Sequence, residues 1–126
     1  MTDPNFVLLY VERPEASAAF YADLFGSKPV ESSPTFALFR LASGLMLGLW
    51  SKATVEPRPA AGVGGAEVAA AVAGRDAVDR MHRDWTRRGL RFAQAPTDMD
   101  FGYTFVALDP DGHRIRVFAP SEPVAG

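Results

Sequence analysis

The sequence predicts an α+β domain made of two copies of one strand-helix-three-strand unit. Two internal offsets support this prediction: Tyr103–Phe118 matches Thr35–Trp50 at 68 residues, and Glu67–Thr86 matches Phe6–Phe25 at 61 residues. The third observation is the turn Asp109-Pro110-Asp111-Gly112 between two strand-like runs, which indicates a hairpin. So short a hairpin must pack on other elements to be stable. The alternative is a chance similarity between two apolar patterns.

Composition sets limits on the class of protein. The 126 residues fit one domain, with 48% hydrophobic and 22% charged residues, as in ordinary globular proteins. A net charge of −2 argues against nucleic-acid binding, which needs a basic surface. The chain has no cysteine, no apolar run long enough to cross a membrane and no visible secretory signal, so we expect a cytoplasmic protein.

The first copy covers residues 5–50. Its opening strand is a continuous apolar run, which predicts cover on both faces. A helix follows from Pro14 and ends at Gly26; its apolar side is predicted to be Ala16, Phe20 and Leu24 at helical spacing, with Ser17 and Tyr21 beside them. The predicted strands of this copy are Phe6–Val11, a weak strand at Lys28–Ser33, and a hairpin of Phe36–Leu41 and Leu45–Trp50.

The second copy covers residues 66–119, after a linker at 51–65 that is rich in glycine and proline. Its helix begins near Arg75 and places Val78, Met81 and Trp85 on one face before Gly89. Asp98 and Asp100 are expected in a loop that leads to the final hairpin. The predicted strands are Glu67–Val72, Leu90–Ala93 and the two strands of the hairpin, followed by a tail at Pro120–Gly126.

Two motifs add a family resemblance that spans nearly the whole chain. They are the helix segment Ala18–Gly26, AAFYADLFG, and the turn Leu108–Gly112, LDPDG, at corresponding places in a duplicated chain. Together they resemble the vicinal oxygen chelate superfamily, which includes glyoxalase I, extradiol dioxygenases and the fosfomycin- and bleomycin-resistance proteins. The resemblance implies tandem βαβββ units that form a curved mixed sheet around a cleft, with helices on the outer side. It also implies a homodimer.

Enzymes of that superfamily hold a divalent metal at four positions, which fall here on Phe6, Gly48, Glu67 and Arg116. Only Glu67 can ligate a cation, so the chain is expected to bind no metal or cofactor. We predict instead that Glu67 and Arg116 form an ion pair. His82 and His113 are expected to be surface residues rather than ligands.

If these positions mark the cleft, alternation along the strands predicts which side chains share its surface. Gly48 and the alanines at 69 and 71 would leave room below the larger groups. The predicted ligand-binding residues are Phe6, Tyr10, Met46, Trp50, Glu67, Tyr103, Arg114, Arg116 and Phe118. The alternative is that this surface packs as a second core, although the charged groups would then be costly.

The favoured function is a metal-free small-molecule binding protein, similar to the bleomycin-resistance branch. It would sequester a planar or aromatic compound, such as an antibiotic, in the cleft of a dimer. One alternative is a lyase, isomerase or dioxygenase of the same superfamily, including a metal-free enzyme with Glu67 as base and Arg116 holding an anion. The other is a structural or regulatory dimer without a small ligand.

Overall fold

The computed structural model describes residues 5–60 and 62–121, and the chain divides into two compact units between Gly65 and Ala66. Each unit contains one helix and four strands in the predicted order, so the tandem βαβββ prediction is confirmed. The first unit contains β1 (Phe6–Val11), α1 (Pro14–Phe25), β2 (Glu31–Ser32), β3 (Phe36–Arg40) and β4 (Met46–Ser51). The second contains β5 (Glu67–Ala71), α2 (Arg75–Arg87), β6 (Arg91–Met99), β7 (Gly102–Leu108) and β8 (Arg114–Pro120).

The two sheets have the same mixed topology. Their strand orders are β1-β4-β3-β2 and β5-β8-β7-β6, and in each sheet the first strand runs parallel to the last while the other pairs are antiparallel. The registers correspond too, because Phe6 lies opposite Met46 in one sheet and Glu67 lies opposite Arg114 in the other. Both pairs are related by the offsets found in the sequence. The duplication therefore extends to strand register.

The core of the first unit lies between α1 and one face of its sheet. Alternate strand residues are fully or almost fully buried there, and Phe39 contacts Phe25 of the helix with ring centroids 5.9 Å apart. The buried stripe of α1 is centred on Ser17, Ala18 and Tyr21. The centre of the stripe is therefore at Ser17 and Tyr21, which were predicted to lie beside Ala16, Phe20 and Leu24, because Tyr21 fills the core. The buried strand residues are Leu9, Val11, Ala37, Phe39, Leu47 and Leu49.

The core of the second unit lies between α2 and its sheet. Val78 and Trp85 are buried as predicted, and Trp85 meets Phe105 edge to face at 5.2 Å. The ring of His82 lies 4.6 Å from that of Phe92 and 5.4 Å from that of Phe105. His82 therefore packs against the sheet, and the prediction that it faces solvent was wrong.

His113 is buried as well, with only 3% of its surface exposed. The prediction that it lies at the surface was therefore wrong. Its Nδ1 accepts a hydrogen bond of 3.2 Å from the backbone N–H of Ala66, at the start of the second unit. The turn before it is held by Asp109, whose Oδ1 accepts bonds from the N–H groups of Asp111 and His113. A turn histidine can therefore be buried when it ties the turn to a neighbouring strand.

Three strand predictions need correction. One face of β1 is exposed rather than covered, since Phe6 and Leu8 are 53% and 43% exposed. The second strand has two residues, 31 and 32, instead of six. The strand β6 runs from 91 to 99, so Asp98 lies within it and not in a loop.

Predictions for residues 1–4 and 122–126 lie outside the described residues, whereas Pro120 belongs to β8. Neither of the helices that the structure describes is long and apolar enough to cross a membrane.

Candidate functional site

The first sheet has an apolar face on the side opposite α1, which we call the open face of the first sheet. Its members alternate with the buried core residues and lie opposite one another across β1, β4 and β3. Phe6 and Leu8 are among the most exposed large apolar residues. The face comprises Phe6, Leu8, Tyr10, Phe36, Leu38, Met46, Gly48 and Trp50. Four predicted site residues, Phe6, Tyr10, Met46 and Trp50, therefore share one surface.

Trp50 lies at the centre of an aromatic group on this face. The rings of Tyr10 and Phe36 each lie 6.4 Å from it, in edge-to-face arrangements with interplanar angles of 79° and 90°. Edge-to-face contacts between aromatic rings are favourable beyond the area they bury. Trp50 is nevertheless only half-buried. Its position is therefore fixed by neighbours while part of the indole remains accessible.

Gly48 does not leave an empty space on this face. A Cβ atom there would collide with Cδ2 of Leu8 and lie 3.2 Å from Cζ of Phe36. The two side chains close over the glycine backbone, so the expectation of room below them was wrong. Leu8 is nonetheless 43% exposed, and its flexible end is the part that could move aside.

The second sheet has a different surface opposite α2, which we call the open face of the second sheet. Glu67 and Arg116 form the predicted ion pair there, with 3.0 Å between Oε2 and Nε and 3.4 Å between Oε1 and Nη2. Arg116 Nη1 also donates to the Thr104 hydroxyl at 3.2 Å. The Arg116 side chain is only 15% exposed, so it depends on these partners for solvation.

Two aromatic rings lie beside this ion pair. Phe101, in the turn between β6 and β7, has its ring centroid 5.4 Å from Cζ of Arg116 and 5.9 Å from the ring of Phe118. The first distance falls within the range of cation–π contacts. Arg114 lies on the same face and is exposed. Of the predicted residues, Glu67, Arg114, Arg116 and Phe118 are thus brought together, and Phe101 joins them.

The superfamily's metal does not fit the side chains present. The side chains of Phe6 and Gly48 have no atom that could coordinate a metal, and the Glu67 carboxylate is already bound to the Arg116 guanidinium. Within residues 5–60 and 62–121, no group of three or more His, Asp or Glu side chains could hold a metal ion. The chemistry of the donors therefore gives no support to a metal-dependent reaction at these positions.

Tyr103 does not share the open face of the second sheet. It points to α2, where its hydroxyl donates to Asp79 at 2.7 Å and the Arg75 guanidinium lies 3.9 Å above its ring. The hydrogen bond to Asp79 and the burial of the phenol raise the pKa of Tyr103. Asp98, bound to the same guanidinium, raises the pKa of Arg75. Tyr103 was predicted to bind ligand together with Arg116 and Phe118, but it lies on the other face of the sheet, and we exclude it from the site.

Gln94 belongs to the open face of the second sheet and was missed from the sequence. It lies opposite Val106, which in turn lies opposite Arg116. The predicted strand ended at Ala93, one residue too early to include it. The alternation of side-chain directions along β6 is also interrupted there, because the register of β6 shifts on both sides of Gln94.

The same architecture occurs in known proteins. The family model of the Glyoxalase/Bleomycin resistance protein/Dioxygenase superfamily matches residues 4–117. The chain belongs to this superfamily. A curated relative is the phenazine antibiotic resistance protein EhpR of Enterobacter agglomerans, which is 31% identical over 119 residues, covering 90% of this chain and 89% of that protein.

Solved structures with a similar fold are also known. A protein from Agrobacterium tumefaciens with a solution NMR structure is 51% identical, with a TM-score of 0.87 over 97% of this chain and 100% of that one. A glyoxalase-related enzyme from Fulvimarina pelagi is 21% identical, with a TM-score of 0.79 over 100% and 94% of the two chains. At that identity the second likeness concerns the fold alone.

Proposed function

We propose that this protein binds and sequesters a planar aromatic small molecule, such as an antibiotic, without the help of a metal. We place it in the cytoplasm as a homodimer that forms the binding cleft. Sequestration requires an apolar surface and a few polar anchors, and no catalytic group. In the first unit the proposed contacts are Phe6, Tyr10, Met46 and Trp50, on the open face of its sheet. In the second unit, taken by itself, they are Glu67, Arg114, Arg116 and Phe118.

The aromatic group around Trp50 is the observation that carries the proposal. An indole held between Tyr10 and Phe36 offers a flat, rigid contact surface, and little conformational entropy is lost when a planar ring packs against it. The neighbouring Phe6 is 53% exposed, which leaves apolar area that a ligand could cover.

The polar groups of the second sheet provide a means of orienting a ligand. The Arg116 guanidinium is held by Glu67 and Thr104, so its plane is fixed before any ligand arrives. A planar cation of this kind can contact an aromatic ring by its face or donate hydrogen bonds from its edge. The ion pair also compensates the charge of Arg116.

The relative EhpR supports the class of ligand. Its name assigns it resistance to phenazine antibiotics, and phenazine is a flat molecule of three fused aromatic rings. We therefore choose phenazine itself as the first probe. A compound with this shape matches the rigid aromatic surface around Trp50.

Tryptophan fluorescence gives a direct test, because the chain contains two tryptophans and only Trp50 lies on the open face. In the Trp85→Phe variant, Trp50 is the sole emitter, and we expect phenazine to quench it saturably. Trp50→Ala should weaken phenazine binding, measured by isothermal titration calorimetry, by roughly 1–3 kcal/mol. The matched change Trp85→Phe, inside the core of the second unit, should leave the affinity unchanged.

Two further measurements test the proposal. Saturating phenazine should raise the melting temperature of protein kept in EDTA, since a ligand that binds only the folded state stabilises it. Sedimentation velocity should show a dimer. If divalent ions stabilise the protein and phenazine does not, sequestration of aromatic compounds is the wrong function. An unchanged affinity in Trp50→Ala would remove the aromatic group from the site.

A further inference from the structure

Gly48 lies in the middle of the open face of the first sheet and is the one member of that face without a side chain. Leu8 lies opposite it on β1. Met46 and Trp50 lie two residues away along β4, on either side, and point to the same face. A planar molecule that packs on the indole of Trp50 and extends along β4 therefore reaches Gly48 after roughly 7 Å.

Two neighbouring side chains fill the place of the missing one. A Cβ atom on Gly48 would collide with Cδ2 of Leu8, and it would lie 3.2 Å from Cζ and 3.3 Å from Cε1 of Phe36. Both side chains lean over the glycine, whose backbone is buried beneath them. The space directly above Gly48 is therefore occupied by the end of Leu8 and the edge of the Phe36 ring.

These two side chains differ in how firmly they are held. Phe36 is half-buried and packs edge to face on Trp50, with 6.4 Å between the ring centroids. Leu8 is 43% exposed, so the end of its side chain has room to change rotamer toward solvent. Such changes are fast for exposed side chains. A ligand arriving from solvent therefore meets Leu8 directly, and Leu8 is the neighbour that it can displace.

We propose that Leu8 is a specificity-determining residue that sets the length of aromatic ligand the first unit accepts. A compound with three linearly fused rings pushes the end of Leu8 aside and packs in its place above Gly48, between the edge of Phe36 and the indole of Trp50. A two-ring compound covers Trp50 alone and leaves Leu8 where it is. The inference rests on the function proposed above and concerns the first unit by itself.

The free energy of displacing Leu8 gives the proposal its characteristic sign. The displaced side chain loses its packing over Gly48 and Phe36 and exposes apolar surface, which opposes binding. In Leu8→Ala this cost is absent, and the ligand covers apolar surface that the shorter side chain has left open. Shortening Leu8 should therefore strengthen binding of a three-ring compound, whereas shortening an ordinary contact residue weakens it.

Two ligands of different length and a set of variants provide the test. By isothermal titration calorimetry, Leu8→Ala should bind phenazine about fivefold more tightly than the wild type and bind the two-ring analogue quinoxaline with unchanged affinity. Phe6→Ala is the matched control on the same strand and face, and it should bind phenazine more weakly. In Leu8→Ala/Gly48→Ala the new methyl group fills the space above residue 48, so the gain for phenazine should disappear.

The wild-type protein provides a second measurement that needs no variant. Saturating phenazine should remove the nuclear Overhauser effect between the Leu8 methyl groups and the Phe36 ring. The inference is overturned if this signal persists, if Leu8→Ala binds phenazine no more tightly than the wild type, or if the double variant keeps the gain. Each of these results leaves phenazine bound and the proposed function intact. If phenazine binds neither the wild type nor Leu8→Ala, the proposed function fails as well.

Discussion

Neutralising Glu67 tests how the ion pair with Arg116 contributes to stability. Removing one member of a fully buried pair costs about 3–5 kcal/mol, whereas exposed pairs contribute about 0–1 kcal/mol. The Arg116 side chain is 15% exposed and that of Glu67 is 36% exposed, so this pair lies between the two limits. We therefore expect Glu67→Gln to lower the free energy of unfolding by about 2 kcal/mol.

Urea denaturation followed by circular dichroism measures this loss. The double variant Glu67→Leu/Arg116→Met should be more stable than Glu67→Gln, since it leaves no buried charge without a partner. Lys52→Gln is the control, because it removes an exposed ion pair with Glu12 and should cost less than about 0.5 kcal/mol. The reasoning is refuted if Glu67→Gln costs no more than the control, or if the double variant is the least stable of the three.

Two other predictions concern positions with different physical constraints. Gly102→Ala should cost about 3 kcal/mol in urea denaturation, because its Cβ would collide with the backbone of β8, whereas Gly48→Ala should cost about 1 kcal/mol, because it meets the movable end of Leu8; equal losses would contradict this. Tyr103 has a raised pKa in the folded state, so its hydrogen bond to Asp79 stabilises the protein below the ordinary tyrosine pKa and is lost as the pH rises through the folded value. The stability advantage of wild type over Tyr103→Phe should therefore shrink in alkaline solution, and an advantage that grows with pH would be inconsistent with it.

Much of the fold could be predicted because the duplicated pattern is local and repeated. The helix boundaries follow from Pro14 and Gly26 in one copy, and from residues near Arg75 and Gly89 in the other. The ion pair was also predictable, since Glu67 and Arg116 occupy the two superfamily metal positions of one unit, where a buried charge without a partner would be costly. Sequence offsets thus carried information about register as well as about secondary structure.

The errors come from features that depend on packing between distant segments. Side chains alternate in direction along β7, but only the pairing of β7 with β8 shows that Tyr103 lies on the helix side of the sheet. His113 has the surroundings of a surface turn in the sequence, and its burial depends on Ala66, 47 residues away. Gln94 lies between two register shifts of β6 that no alternation pattern reveals.

The irregular strand β6 also bears on how the protein behaves at high concentration. Among the described strands it ends its sheet, and its nine residues would offer a long row of backbone groups to another chain. The two register shifts interrupt that row, Pro96 removes one donor, and Asp98 adds an exposed charge. The two register shifts beside Gln94 therefore also make this edge a poor template for fibre growth.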